Sequence, residues 1–134
     1  MASPYVIDAN PIISALLGGS ALRILLSAEF AFHTAQHTLF EAEKYISHLA
    51  KKMHRSEMKL FEEFSLFPII AHQPLIYEDK LELADCLIGH RDSDDIHILA
   101  LTLHLGYPLW TEDRDFDNLP GVMVYRTAAL LAIL

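Results

Sequence analysis

Five short, largely apolar runs punctuate the chain, each separated from the next by a stretch that reads as helix or turn. They are Tyr5-Val6-Ile7, Phe30-Ala31-Phe32, Pro68-Ile69-Ile70-Ala71, Leu109-Trp110-Thr111 and Val122-Met123-Val124. A strand with nothing polar in it, such as Phe30-Ala31-Phe32, is buried on both faces, which is the habit of a parallel sheet. Strands alternating with helices lead to the same arrangement. The expected fold class is therefore α/β, a three-layer architecture with a parallel central sheet flanked by helices. Ligands of such sheets bind beyond the carboxyl ends of the strands. The residues that follow each strand therefore carry the functional interest.

The helical segments have readable ends. Asn10-Pro11 is a helix-start signal, with Asn10 as the cap and Pro11 in the first turn. That helix is expected to stop at Gly18-Gly19, with Ser20 capping a second short one through residue 28. Over residues 36–64, Leu39, Tyr45, Ile46, Leu49, Met53, Leu60 and Phe61 recur at helical spacing, with a break near His54-Arg55-Ser56. Residues 74–89 read as an amphipathic helix with Leu75, Ile76, Leu83, Leu87 and Ile88 inward. Residues 96–105 are apolar on nearly every face, hence a buried helix, which Gly106 ends. Residues 127–134 form a last apolar helix.

At 134 residues the chain is expected to be one domain over residues 1–134, large enough to bury a core. Its apolar fraction of 52% with 21% charged residues excludes a disordered chain. No apolar run is long enough to span a bilayer, and Met1-Ala2-Ser3-Pro4 leads straight into a strand without a basic, apolar leader. The single cysteine, Cys86, excludes an internal disulfide, fits a cytoplasmic location and is expected to be a small buried apolar residue. Eight histidines offer no pair with zinc-like spacing and a third ligand, and His97 and His104 read as packed core residues. No glycine-rich phosphate loop is present.

Four acids stand at the ends of core elements: Asp8 after the first strand, Glu41 near a helix start, Asp95 opening the buried helix, and Asp113 after Leu109-Trp110-Thr111-Glu112. Taken singly, each is an ordinary cap or turn residue. Taken together, all four map to one edge of one sheet. Carboxylates in low-dielectric surroundings repel one another unless paired or bound to a cation. Oxygen-only donors suit Mg²⁺ or Mn²⁺, which activates water and stabilises charge on a phosphodiester. The net charge of −8 leaves no broad basic surface, although Lys44, Lys51, Lys52, Arg55 and Lys59 cluster within sixteen positions.

These segments resemble PIN-domain ribonucleases. Val6-Ile7-Asp8-Ala9-Asn10 is similar to their opening strand, and Thr38-Leu39-Phe40-Glu41 to their second acidic position. Arg91-Asp92-Ser93-Asp94-Asp95, the buried helix and Gly106 are similar to their acidic turn, and Trp110-Thr111-Glu112-Asp113-Arg114-Asp115-Phe116 to their threonine–acid strand end. The resemblance implies that Asp8, Glu41, Asp95 and Asp113 are catalytic acids. Asp8, Asp95 and Asp113 would hold Mg²⁺ or Mn²⁺, with Thr111, Asp115 and Asp92 in support. Asp92 and Asp94 compete with Asp95, whose spacing to Ala100 and Gly106 fits best, and Glu43 competes with Glu41. The resemblance further implies an endoribonuclease like the VapC toxins of toxin–antitoxin modules, a homodimer, and an antitoxin partner. On that reading Lys51, Lys52 and Arg55 flank an RNA groove. The alternatives are a non-catalytic binding or dimerisation module and a metal-dependent nuclease acting on DNA.

Overall fold

A computed structural model describes residues 1–88 and 93–134. The elements run β1 (Ser3–Ile7), α1 (Ala9–Leu16), α2 (Gly19–Leu25), β2 (Phe30–Ala35), α3 (Gln36–Glu43), α4 (Ile46–Met53), α5 (Glu57–Ser65), β3 (Ile69–His72) and α6 (Pro74–Tyr77). A 3₁₀ turn at Glu78–Lys80 leads to α7 (Leu81–Ile88), followed by α8 (Ser93–Leu105), β4 (Leu109–Trp110), β5 (Val124–Tyr125) and α9 (Thr127–Ile133). The five strands pair in the order β3-β2-β1-β4-β5 and every pairing is parallel. The expected three-layer α/β sheet is what the chain forms.

Strand residues alternate between two cores, as the period of two requires. Tyr5, Ile7, Phe30, Phe32 and Trp110 pack with α1, α2, α4 and α5 on one face. Edge-on and tilted ring contacts knit that layer, with Tyr5 5.4 Å from Phe30 and Phe32 5.2 Å from Trp110. Val6, Ala35 and Leu109 face the other core, with Tyr77, Ala84, Ile88 and the middle of α8. Ile98, Leu99, Ala100, Leu101 and Thr102 are five consecutive buried residues, so the central turns of α8 are enclosed on all sides. Among the described residues, no helix is long and apolar enough to cross a membrane.

Several local expectations are corrected. Asp8, and not Asn10, caps α1, because its carboxylate reaches the backbone N–H of Ala9; this starts the helix before Pro11. Gly18, at φ 89°, precedes α2, so Ser20 lies inside that helix. The long helical stretch breaks twice. His54 in the left-handed region ends α4 as anticipated, but a further break at Lys44-Tyr45 separates α3 from α4. Residues 74–89 are not one amphipathic helix: Leu75, Ile76 and Leu83 are 71%, 46% and 47% exposed, while Tyr77, Ala84 and Ile88 point inward. The last strand starts at Val124, two residues later than expected, after a turn in which the Val122 N–H bonds Leu119. Cys86 is exposed, which overturns its expected burial.

Candidate functional site

The parallel register delivers two chain segments to one edge. The Asp8 N–H bonds the Trp110 carbonyl at 3.0 Å, so the residues that follow β1 and β4 leave the sheet side by side. Asp8 is 6% exposed. One carboxylate oxygen accepts the Ala9 N–H at 2.8 Å, and the other accepts the Thr111 hydroxyl at 2.7 Å. Thr111, fully buried, uses the same oxygen to accept the Asp113 N–H at 3.0 Å. Asp113 in turn caps the 3₁₀ turn Arg114–Phe116 by accepting the Asp115 N–H at 2.9 Å. Thr111 therefore spaces two carboxylates without neutralising either.

Asp95 enters from the first turn of α8 and Glu41 from α3. Asp8, Glu41, Asp95 and Asp113 line one cavity of about 190 Å³, together with Ala9, Asn10, Ile13 and Tyr45. Each of Asp95, Asp113 and Asp115 offers a carboxylate oxygen within 4.8 Å of the others. Burial is the main reason the Asp8 carboxyl is raised above its ordinary value; the Thr111 and Ala9 hydrogen bonds oppose this, and repulsion from Asp113 and Asp94 adds to it. A buried carboxyl destabilised as an anion, facing other carboxylates, is an oxygen-only donor set for a hard divalent cation. The residues fit such an ion.

The remaining expected residues divide. Glu43 does not line the cavity, whereas Glu41 does. Asp94 is turned to different partners: its hydrogen bond with Glu41 holds its carboxyl below the ordinary range against the opposing effect of burial, and His37 adds to the lowering from 2.5 Å away. Asp92 lies outside the described residues. Lys51 and Lys52 are exposed in the last turn of α4, and neither lines the cavity. Arg55 does not line the cavity either. Its guanidinium bonds both Glu63 oxygens, at 2.6 and 3.3 Å, beside a separate apolar groove that includes Leu17, Leu22, Leu26 and Leu66.

Four contributors escaped the sequence reading. Tyr45 was expected to pack inward by helical spacing; it is 47% exposed and lines the acid cavity, because the break after α3 turns it outward. Asn10, freed from capping, accepts the Glu112 N–H at 3.2 Å and ties the two strand ends. Lys44 lies near enough to Asp94 to favour its ionised form. Arg126 donates to the Thr111 carbonyl at 2.9 Å and to both Asp117 oxygens, bracing the loop that carries Asp113. No local signal marks Arg126, since its partners lie nine and fifteen positions away.

A family model described as PIN domain matches residues 6–132. No curated protein sequence matches the chain. Solved structures share its fold at low identity. VapBC2 from Rickettsia felis, bound to a DNA fragment from its promoter, superposes with a TM-score of 0.67 at 16% identity, covering 92% of this chain and 98% of that one. DNA-bound VapBC from Salmonella typhimurium gives 0.66 at 18% identity, covering 95% and 99%. A toxin–antitoxin complex from Klebsiella pneumoniae gives 0.65 at 21%, covering 89% and 95%.

Proposed function

The chain belongs to the PIN-domain family, and on that footing we propose that it is a metal-dependent endoribonuclease, the toxin of a toxin–antitoxin pair. The observation that carries the proposal is the convergence of Asp8, Glu41, Asp95 and Asp113 on one cavity at the carboxyl edge of the sheet. Asp8, Asp95 and Asp113 would hold Mg²⁺ or Mn²⁺, with Asp115 in support, since Asp8 lines the cavity that Asp95 and Asp113 share and Asp115 offers an oxygen within 4.8 Å of theirs. Such an ion would supply positive charge to a phosphodiester and would make a water it holds more acidic than bulk water.

The chain's own groups do the rest. Thr111 and the Ala9 N–H fix the Asp8 carboxylate, so its oxygens need no reorganisation when the substrate arrives. Glu41, set in the cavity wall, takes the proton released from the attacking water in its ionised form, once it has given up the proton of its hydrogen bond to Asp94. Lys44, near enough to Asp94 to favour its ionised form, offers charge to a substrate phosphate. The Tyr45 ring on the cavity wall gives an unpaired base a stacking surface.

The solved neighbours named as VapBC and toxin–antitoxin complexes support an antitoxin as partner. Exposed Leu17, Leu26, Leu66, Met58 and Phe61 support a homodimer that covers apolar surface. The single exposed Cys86 is compatible with a reducing, cytoplasmic setting.

The test is cleavage of end-labelled single-stranded RNA and its DNA counterpart with Mg²⁺. RNA should be cut, chelator should stop the reaction, and Asp95→Asn should lose more than about a hundredfold, beyond the loss from residues that only support metal ligands. Cleavage of DNA alone would refute the substrate. Equal cleavage by Asp95→Asn would refute the site.

A further inference from the structure

α3 carries His37 and Glu41 four positions apart, hence on one face of that helix. Glu41 lines the acid cavity and His37 does not. His37 instead meets the start of α8 at two residues. Its Nε2 lies 2.5 Å from an Asp94 oxygen, and an ionised carboxylate only accepts, so the imidazole N–H is the donor. Its ring lies flat on that of His97, with centroids 4.2 Å apart and planes within 1°. Asp94 and His97 are three apart and share a face of α8. His37 therefore grips the first turn of α8 with its edge and the next turn with its face.

The stack is anchored in the core. His97 Nδ1 is hydrogen-bonded to the Tyr77 hydroxyl at 2.7 Å, and the Tyr77 ring stands edge-on to that imidazole at 5.6 Å. Tyr77, from α6, is fully buried. One continuous set of contacts thus runs from the core through His97 and His37 to Asp94, which also bonds Glu41.

We propose that His37 is a positioning residue for the cation site: it holds the first turn of α8 against α3 and so fixes the place of Asp95 in the cavity. The inference rests on the metal-binding reading given above. Asp95 enters the cavity on that turn, one residue after Asp94, so its carboxylate moves with the turn. Mg²⁺ demands near-ideal octahedral geometry, and ligand distances must hold to about 0.2 Å. A small drift of the turn therefore costs affinity. Electrostatics and positioning predict different outcomes when His37 is removed. Loss of an imidazole takes no negative charge from the cavity, so charge alone leaves cation affinity unchanged or raises it. A fall in affinity with the fold retained reports positioning. Residues that support metal ligands are worth about 10–100-fold in affinity, and His37 acts through a helix turn, so the lower end applies.

The experiment is Mn²⁺ titration of the whole chain, read by electron paramagnetic resonance of the free ion, on wild type, His37→Leu and His37→Gln. A glutamine amide still donates to Asp94 from near the place of Nε2; leucine cannot. His37→Leu should bind Mn²⁺ about tenfold more weakly than wild type, and His37→Gln should recover most of that loss. In metal-free protein, backbone NMR order parameters over residues 93–96 should fall in His37→Leu and hold in His37→Gln. Equal Mn²⁺ affinity in wild type and His37→Leu, no recovery in His37→Gln, or unchanged order parameters in His37→Leu would each overturn the proposal while leaving the metal reading intact. Absence of Mn²⁺ binding by wild type is a separate result, which refutes the metal reading and this inference with it.

Discussion

Thr111 carries two hydrogen bonds on one oxygen, donating to Asp8 and accepting from Asp113, in a fully buried position. Thr111→Val keeps the shape and removes both bonds. It leaves an acceptor and a donor unsatisfied, and chemical denaturation should show a loss of about 2 kcal/mol. Thr111→Ser should recover most of it. Asp8 behaves in the opposite sense. Its folded pKa is raised above the ordinary aspartate value of 3.8, so its contribution to stability is full below about pH 3.8 and is lost as the pH rises through the folded value. At neutral pH the cation-free protein bears the whole penalty. Asp8→Asn escapes it and keeps the Thr111 bond through its amide oxygen, although its NH₂ then stands where an oxygen accepted the Ala9 N–H, a cost that does not vary with pH. Its melting temperature without metal should exceed that of wild type by a margin that widens from acid to neutral pH, while cleavage disappears. A margin independent of pH would mean that Asp8 is not a strained anion.

Elements differed in how far the sequence revealed them, and the difference has physical causes. β1 and β4 are short apolar runs closed by an acid or a Thr-Glu-Asp end, so strand, edge and site residue are written in consecutive positions. The acids at Asp8 and Asp113 were readable for that reason. α3 to α5 were harder, because helical periodicity continues through residue 45 while the backbone breaks there, which moved Tyr45 from the core to the cavity. The apolar positions of α6 and α7 obey helical spacing but outnumber what one face buries, which left Leu75 and Leu83 outside. Charge clustering between Lys44 and Lys59 was visible, yet only side-chain geometry separates Arg55, tied to Glu63, from the lysines. The salt dependence of RNA binding to Lys44→Gln, Lys51→Gln and Lys52→Gln follows from this. Each lysine that meets a phosphate should reduce the slope of log affinity against log salt by about one unit or slightly less. An unchanged slope in all three would make this face merely solvated.

For the whole molecule, the parallel order β3-β2-β1-β4-β5 sets the chemistry. It gathers acids from positions 8, 41, 95 and 113 into one cavity on a chain of net charge −8. That concentration of negative charge opposes a polyanionic substrate until a cation offsets it. Cation binding is therefore the premise on which substrate choice, partner and catalysis all rest. The most direct measurement is Mn²⁺ binding to wild type, Asp8→Asn and Asp95→Asn, followed by electron paramagnetic resonance of the free ion. The account predicts saturable binding to wild type and its loss in both variants, with the fold retained by circular dichroism. Equal Mn²⁺ binding by all three proteins would contradict it.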